Sequence, residues 1–211
     1  MTNPWLGIPA DDYVGHMSYP TVNQRPVLNR LMREALEDVR PRNCLVLGCS
    51  TGNGLENVDP AVTRRVGVVD INAVYLQHLA DRFPNPDFDL QIQCSDLNET
   101  VLETNAFDLI HAALVFEYVE WRPLVPRLAP ALTTRGVLNV VLQLPSATNP
   151  AVTPTMFTSL LSLEPLFRFV NPDDLLSTAR AAGLTLDLRR TVPLAGGKSF
   201  ELLRLIRRSG D

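Results

Sequence analysis

The stretch that decides the fold is residues 44–54, which read CLVLGCSTGNG. Its apolar beginning, residues 44–47, is typical of a central parallel strand that is buried on both faces. Glycines follow at positions 48, 52 and 54, and a glycine-rich turn lets backbone N–H groups approach a ligand because no Cβ intervenes. The spacing differs from the dinucleotide fingerprint Gly-x-Gly-x-x-Gly, since Ser50 and Asn53 occupy glycine positions of that fingerprint. The turn alone is also compatible with a plain strand-to-helix connection.

Strand-like and helix-like patterns alternate along most of the chain. The strand candidates are residues 44–47, 65–71, 88–94, 107–114, 136–144, 184–193 and 199–207, and helical spacing of apolar residues falls at 27–39, 73–83, 118–132 and 171–182. This alternation predicts a mainly parallel sheet with right-handed crossovers. Gly196 and Gly197 separate the last two strand candidates and predict a hairpin. We therefore predict an α/β, Rossmann-like doubly wound fold with seven strands, an antiparallel C-terminal hairpin strand and helices on both faces.

Two segments of the predicted single domain (1–211) fall outside this alternation. Residues 1–26, which are irregular up to residue 22 and rich in Pro, Gly, Tyr and Trp, are predicted to form an N-terminal lid. Residues 145–170 carry four prolines and a short helical pattern near 156–163. We predict that they form an insertion on the substrate side of the sheet, where open α/β folds bind ligands. Their apolar side chains indicate a hydrophobic pocket wall or, alternatively, a homodimer surface.

Composition argues against several classes of partner. The net charge is −4 and the basic residues are scattered, whereas nucleic-acid binding depends on clustered basic side chains. The three cysteines lack zinc-site spacing, so no metal site is predicted. We predict a cytoplasmic protein without a membrane partner, because neither a signal-peptide pattern nor an apolar run of about 18 residues is visible.

Acidic side chains follow the second and third strand candidates. Asp70 lies at the end of the second, where a carboxylate accepts hydrogen bonds from both ribose hydroxyls in Rossmann-type sheets. The alternative is that Asp70 caps the helix that starts near Ala73, a position that Asn72 suits as well. Asp96 follows the third strand candidate, where a carboxylate can accept a hydrogen bond from an adenine amino group. Together with the glycine turn, these acids favour a cofactor that contains a nucleoside.

Four motifs resemble those of class I S-adenosylmethionine-dependent methyltransferases. LVLGCSTG (45–52) resembles the first motif, VLDLGCGTG; VDIN (69–72) and SDL (95–97) resemble the second and third. FDLIH (107–111) with VFEYV (115–119) resembles the fourth, FDLV followed by VLEHV. The resemblance spans about residues 40–144, and the predicted hairpin matches the antiparallel last strand of this fold. The chain departs from the motifs at Val46, which replaces an acid, at Ser50, which replaces a glycine, and at Tyr118, which replaces a frequent histidine.

The resemblance implies a methyltransferase (EC 2.1.1.-) that uses S-adenosyl-L-methionine and transfers its methyl group by in-line displacement. The motifs do not indicate the substrate, but the sequence shows no basic groove, and this favours a small-molecule acceptor. The absence of an Asn-Pro-Pro-Tyr or Asp-Pro-Pro-Tyr run after the fourth strand argues against amide or nucleobase nitrogens as acceptors. The cofactor contacts that the resemblance implies come from the glycine turn (Gly48, Cys49, Ser50, Gly52), from ribose and adenine contacts (Asp70, Ile71, Asn72, Ser95, Asp96, Leu97) and from two backbone contacts (Ala113, Leu114).

A general base is needed only if the acceptor loses a proton as it attacks. The predicted catalytic residues are His16, Tyr13 and Glu117. Glu117 has an alternative role, because an acid stabilises the N-terminus of a helix. His111 falls within a strand candidate and is interpreted as a hydrogen-bonded core histidine.

Three other functions remain open from the sequence. A non-catalytic protein that binds S-adenosylmethionine or S-adenosylhomocysteine would share the same motifs. An NAD-type Rossmann oxidoreductase is disfavoured by the glycine spacing. A protein or RNA methyltransferase would need a larger docking surface.

Overall fold

The computed structural model describes residues 3–208, which form one seven-stranded sheet. Its strands are β1 (Asn43–Leu47), β2 (Arg65–Asp70), β3 (Asp89–Cys94), β4 (Phe107–Ala113), β5 (Leu132–Gln143), β6 (Leu184–Pro193) and β7 (Ser199–Arg207). Their order is β3-β2-β1-β4-β5-β7-β6. Strands β1 to β5 pair in parallel, and β7 runs antiparallel to both β5 and β6. The predicted fold class is confirmed.

Five α-helices surround the sheet: α1 (Ala10–Ser18), α2 (Gln24–Val39), α3 (Ala73–Arg82), α4 (Trp121–Ala131) and α5 (Pro172–Ala181). Short 3-10 helices span Pro4–Gly7, Leu55–Asn57, Phe116–Tyr118 and Thr158–Leu163. Within residues 3–208, none of the helices is long and apolar enough to cross a bilayer.

The helices cover both faces of the sheet, as a doubly wound fold requires. On one face, Leu128 of α4 and Leu175 of α5 pack in a core cluster with Leu45 of β1. On the other face, Met32 of α2 and Leu79 of α3 pack in a second cluster. Successive residues of β1 contribute to opposite clusters, because side chains alternate across a strand. The central strand is therefore buried on both sides, as its unbroken apolar sequence predicted.

The N-terminal region differs from the prediction, because residues 10–18 form helix α1 rather than irregular chain. Glycine lowers helix propensity, and Gly15 lies near the middle of this helix. A Cβ at Gly15 would collide with the ring of Phe157. The glycine therefore lets α1 approach residues 145–170 closely, and this tertiary contact accounts for a helix that local sequence did not predict.

The glycine turn follows β1 at the point where the strand order reverses direction, between β2 and β4. Ligands of open α/β sheets bind at such a switch point, beyond the carboxyl ends of the strands. Gly48 has φ +62°, and a Cβ there would lie 2.7 Å from Cγ2 of Val115. Glycine is therefore required here both for backbone conformation and for space.

Candidate functional site

A cavity of about 1090 Å³, part of it open to solvent, lies beyond the carboxyl ends of the parallel strands. Its walls come from the strand tips, from residues 3–24, from residues 151–167 and from the β6–β7 hairpin. Nine of the twelve residues predicted to contact a cofactor line it: Gly48, Ser50, Asp70, Ile71, Ser95, Asp96, Leu97, Ala113 and Leu114. The topology thus gathers these residues from four strand tips into one site.

The remaining three predicted contacts do not line the cavity. Cys49 belongs to the core cluster beneath the turn, and a Cβ at Gly52 would lie 2.9 Å from Cγ of Leu79. The side-chain oxygen of Asn72 accepts a hydrogen bond from the backbone N–H of Val74 at 2.9 Å, which makes Asn72 the cap of α3. These residues support the cavity wall from behind, and the capping role that Asn72 suited is the observed one.

Asp70 is buried at the tip of β2, with its side chain held by two backbone groups. Its Oδ2 accepts a hydrogen bond from the N–H of Ser50 at 2.8 Å, and its Oδ1 accepts one from the N–H of Asn72 at 2.9 Å. Burial raises the pKa of this carboxyl, and the two backbone hydrogen bonds lower it. Each carboxylate oxygen has a further lone pair, so Asp70 retains acceptor capacity toward the cavity that it lines.

The tip of β3 supplies a second carboxylate. Asp96 lines the cavity, and its Oδ1 accepts a hydrogen bond from the N–H of Asn98 at 2.8 Å. The neighbouring Ser95 hydroxyl accepts one from the hydroxyl of Thr100 at 2.9 Å. These local contacts fix both side chains, and the second carboxylate oxygen of Asp96 is left as an acceptor.

Two non-glycine residues that line the cavity adopt left-handed backbone conformations, Ser50 at φ +50° and Leu114 at φ +54°. Such conformations strain residues other than glycine, and they concentrate at functional sites. The Ser50 hydroxyl is also buried without a hydrogen-bond partner among residues 3–208. An unpaired buried hydroxyl is unfavourable, so this oxygen is suited to a polar group of a bound ligand.

We expect Ser50→Gly to stabilise the protein by roughly 0.5–1 kcal/mol, because glycine relieves the left-handed strain but loses more entropy on folding. Ser50→Ala is the matched control, since it removes the hydroxyl but keeps the Cβ. Urea denaturation of the three proteins measures the difference. A Ser50→Gly protein no more stable than Ser50→Ala would show that the relief of strain does not exceed the entropic cost of the glycine, and would contradict the prediction.

Aromatic side chains from the N-terminal region cover the cavity. The ring of Tyr13 lies with its centroid 6.0 Å from that of Trp5 and 5.5 Å from that of Tyr75. Burial raises the pKa of Tyr13, and the nearby Asp70 carboxylate adds to this shift, whereas the nearby Ser50 side chain opposes it. A phenol with a raised pKa stays protonated at neutral pH. Tyr13 is therefore placed to donate a hydrogen bond beside Ser50 and Asp70 rather than to act as a base.

His16 lies in α1, buried but lining the cavity. Its Nδ1 lies 3.0 Å from the hydroxyl oxygen of Thr155, which accepts a hydrogen bond from the N–H of Phe157 at 3.2 Å. Burial, and secondarily the positive charge of Lys198, lowers the pKa of His16 to about 4. The imidazole is therefore neutral at physiological pH and has one ring nitrogen available for a ligand.

Glu117 is placed behind the cavity rather than in it. It lies in the 3-10 helix Phe116–Tyr118, and its Oε1 accepts a hydrogen bond from the N–H of Gln143 at 2.7 Å. Its Oε2 has no partner among the described residues, and burial raises its pKa to about 7. Glu117 is not among the residues that line the cavity, so its predicted role as a base stays a prediction with no contact to the space for an acceptor.

His111 of β4 is a core residue, as interpreted from its position in a strand. It is buried, and its Nδ1 lies 3.0 Å from Nδ2 of Asn139 on the adjacent strand β5. Burial lowers its pKa to about 4. It therefore contributes a neutral hydrogen-bonded pair to the sheet rather than a group in the cavity.

The insertion 145–170 contributes apolar side chains to the cavity wall. Leu160, Leu163 and Phe167 line the cavity and are buried. Met156 and Phe169 lie on the surface instead, with 74% and 42% of their surface exposed. The insertion therefore contributes to the pocket wall, while the homodimer surface stays a prediction.

The polar residues that line the cavity without having been predicted from the sequence include Gln24, Gln143 and Lys198. The two glutamines come from α2 and the end of β5, and no local pattern brings them together. Lys198 did leave a signal, because it is the only lysine in a chain that has 19 basic residues in total. It lies just before β7, in the turn of the predicted hairpin.

The glycine turn at the switch point and the carboxylates at the tips of β2 and β3 lie together, as the four motifs predicted. Residues 44–136 match the family described as a methyltransferase domain. This match confirms the resemblance to class I S-adenosylmethionine-dependent methyltransferases. The match covers 93 of the 211 residues, and over that part the chain is similar to the methyltransferase family. A search of curated proteins found no match to the sequence.

Several solved structures share the fold. N-methyltransferase NodS from Bradyrhizobium japonicum WM9, solved with S-adenosyl-L-homocysteine, is 18% identical, with a TM-score of 0.67 and 88% of each chain covered. The [4+2]-cyclase SpnF is 15% identical with a TM-score of 0.67, over 96% of this chain and 98% of SpnF. An S-adenosylmethionine-dependent methyltransferase from Mesorhizobium loti is 17% identical with a TM-score of 0.64, over 82% of this chain and 96% of that one. These similarities establish the fold and leave the acceptor open.

Proposed function

We propose that the chain binds S-adenosyl-L-methionine in this cavity and transfers its methyl group to a small-molecule acceptor. The observation that carries the proposal is the pairing of Asp70 with the glycine turn, since Asp70 fixes Ser50 and keeps acceptor capacity toward the cavity. The complex of NodS with S-adenosyl-L-homocysteine supports the choice of ligand for the shared fold.

The cofactor supplies an electrophilic methyl group on a sulfonium, which is a good leaving group. The protein's tasks are to align the acceptor with that methyl group and to exclude water. Asp70 would hold the ribose hydroxyls, and Asp96 would accept a hydrogen bond from the adenine. The aromatic cover formed by Trp5, Tyr13 and Tyr75 would keep water from the cofactor.

His16 is the proposed base for an acceptor that loses a proton. The Thr155 oxygen already accepts a hydrogen bond from the N–H of Phe157, and it can also accept one from Nδ1–H of His16. That tautomer leaves the Nε2 lone pair free. Because the pKa of His16 is lowered to about 4, the ring is unprotonated at neutral pH, but it is also a weaker base than an ordinary histidine.

Transfer is tested with S-adenosyl-L-methionine labelled with ¹⁴C in its methyl group, incubated with a metabolite extract and, separately, with protein and RNA fractions. We expect label in small molecules. Label confined to protein or RNA would contradict the small-molecule proposal, and no label in any fraction would contradict methyl transfer itself.

His16→Ala is expected to lower kcat by about 100-fold on a labelled acceptor that must lose a proton, with a smaller change in KM. His78→Ala is the matched control, because His78 lies on the exposed side of α3. Steady-state kinetics of both variants measure the effect. A kcat equal to that of His78→Ala would remove His16 from the mechanism.

A second candidate function is binding of the cofactor without methyl transfer. The specific observation in its favour is that the cyclase SpnF has the same fold, so the fold alone does not establish transfer. Val46 and Ser50 also depart from the first motif. The labelling experiment separates the two, because a protein that only binds the cofactor leaves no label in any acceptor. An NAD-type oxidoreductase remains disfavoured by the spacing of the glycine turn.

A further inference from the structure

The single lysine of the chain lies inside the cavity. Lys198 is only 5% exposed, whereas the other basic residues are all arginines. A lysine ammonium is strongly hydrated and is rarely buried without a partner. Its position therefore calls for a specific explanation.

Lys198 has no acidic partner. Within residues 3–208, no carboxylate oxygen lies within 4.0 Å of its Nζ, although nine ion pairs involve arginines. Its one hydrogen bond is donated to the carbonyl oxygen of Ala151 at 2.8 Å. An ammonium has three N–H donors, so two of them have no protein acceptor. Burial lowers its pKa to about 8, which still leaves it mostly charged at neutral pH.

The hairpin turn that carries Lys198 is held in place from two sides. A Cβ at Gly196 would collide with the carbonyl oxygen of Thr21, so the turn packs directly on the chain between α1 and α2. The carbonyl of Gly196 accepts a hydrogen bond from Nδ2 of Asn149 at 3.1 Å. These contacts fix the backbone beside Lys198 and so restrict where its ammonium can lie.

Three further polar side chains form, with Lys198, the polar end of the cavity: His16, Gln24 and Gln143. Nε2 of Gln24 donates to Oε1 of Gln143 at 3.1 Å, and Nε2 of Gln143 donates to the same Ala151 carbonyl as Lys198, at 2.9 Å. His16 and Lys198 line the same cavity, and the charge of Lys198 contributes to the lowered pKa of His16. The polar end thus contains one positive charge and no negative one.

The polar end is remote from the cofactor contacts in the sheet. Lys198 precedes β7, and β4 and β5 separate β7 from β1 in the strand order. Adjacent strands are about 4.8 Å apart, so the tip of β7 lies three strand spacings from the glycine turn. The Asp70 and Asp96 contacts lie on the far side of β1. The polar end therefore faces the part of the cavity left for the acceptor.

We propose that the polar end binds a carboxylate group of the methyl acceptor, with the Lys198 ammonium as its charged partner. The inference rests on the proposed function. A carboxylate supplies both the negative charge that Lys198 lacks and two oxygens that accept its free N–H donors. The apolar residues Leu160, Leu163 and Phe167 would then surround the rest of the acceptor. The substrate class is thus a small carboxylic acid with an apolar portion.

The single lysine permits a direct test in the unmodified protein. Protein labelled with ¹³Cε-lysine gives one lysine resonance, whose pH titration reports the pKa of Lys198. The probes are acetate, propionate and benzoate, with acetamide, propionamide and benzamide as neutral controls of the same shape and sulfate as a control anion. We expect each carboxylate to raise the pKa of Lys198 by at least about one unit, a tenfold change, and the amides to leave it unchanged.

Each alternative outcome is informative. An unchanged pKa with every carboxylate, or an equal shift with sulfate, would overturn the carboxylate proposal. A shift caused by S-adenosylhomocysteine alone would assign Lys198 to the cofactor's own carboxylate and would also overturn it. Lys198→Met, followed through ligand resonances, should lose the preference for benzoate over benzamide, and a retained preference would contradict the proposal. Binding of S-adenosylhomocysteine to the same wild-type sample reports separately on the proposed function.

Discussion

Asp70→Asn is expected to weaken binding of S-adenosylhomocysteine by about 100-fold, because hydrogen bonds to a charged group contribute about 1.5–3 kcal/mol. The substitution keeps the shape of the side chain but replaces one acceptor oxygen with a donor. In the structure both oxygens already accept from backbone N–H groups, those of Ser50 and Asn72. The amide therefore either loses one of these bonds or presents a donor to the ribose hydroxyls. Calorimetric titration measures the change in Kd.

The matched control is Asp187→Asn on the exposed side of β6, which removes the same charge far from the cavity. Thermal denaturation of both variants separates lost affinity from lost folding, since Asp70 also supports the glycine turn. An unchanged Kd for a folded Asp70→Asn protein would mean that Asp70 only holds Ser50 and does not contact the ligand.

Glu117→Gln is expected to stabilise the protein at high pH and to leave it unchanged at low pH. Burial raises the pKa of Glu117 from its usual 4.5 to about 7. The folded state thus retains a proton that the unfolded state loses, and wild-type stability falls as the pH rises from about 4.5 to about 7. Because one pKa unit corresponds to about 1.4 kcal/mol, the variant should be more stable than wild type by about 3 kcal/mol at about pH 8 and equal to it at about pH 4.

Glutamine is a suitable mimic, because its carbonyl oxygen can accept the hydrogen bond that the N–H of Gln143 donates to Glu117. Urea denaturation at both pH values gives the free energy of unfolding of variant and wild type. The titrations of His16 and His111 contribute equally to both proteins and cancel in the difference. Glu120→Gln, at an exposed glutamate three residues later, should show no such pH dependence. A difference that does not change with pH would indicate that Glu117 is ionised with an ordinary pKa.

The sequence was sufficient for the elements whose contacts are local. The unbroken apolar run of β1 indicated a strand buried on both faces. The two glycines at 196 and 197 indicated the turn between β6 and β7, and Gly197 does adopt a positive φ there, +79°. Asp70 was identifiable because the carboxyl ends of parallel strands meet at one edge of the sheet. The choice between cofactor contact and helix cap at Asn72 needed side-chain geometry, which local patterns do not contain.

What the sequence did not predict depends on contacts between distant positions. Helix α1 exists because Gly15 lets it approach Phe157, which is far away in the chain. Gln24 and Gln143 are 119 residues apart, yet their side chains are hydrogen-bonded in the cavity. Lys198 stood out only by its rarity, and its burial follows from a hairpin that packs on the chain before α2. The position of the glycine turn and of the two carboxylates was thus predictable from motifs, whereas the polar end was not.

Whether this cavity is a site for S-adenosylmethionine is measured by calorimetric titration of the wild-type protein. The ligands are S-adenosylmethionine, S-adenosylhomocysteine and NADH, each added to the same preparation. We expect saturable binding of the first two, one molecule per chain, and none of NADH. Binding of NADH without binding of either S-adenosyl compound would contradict this expectation.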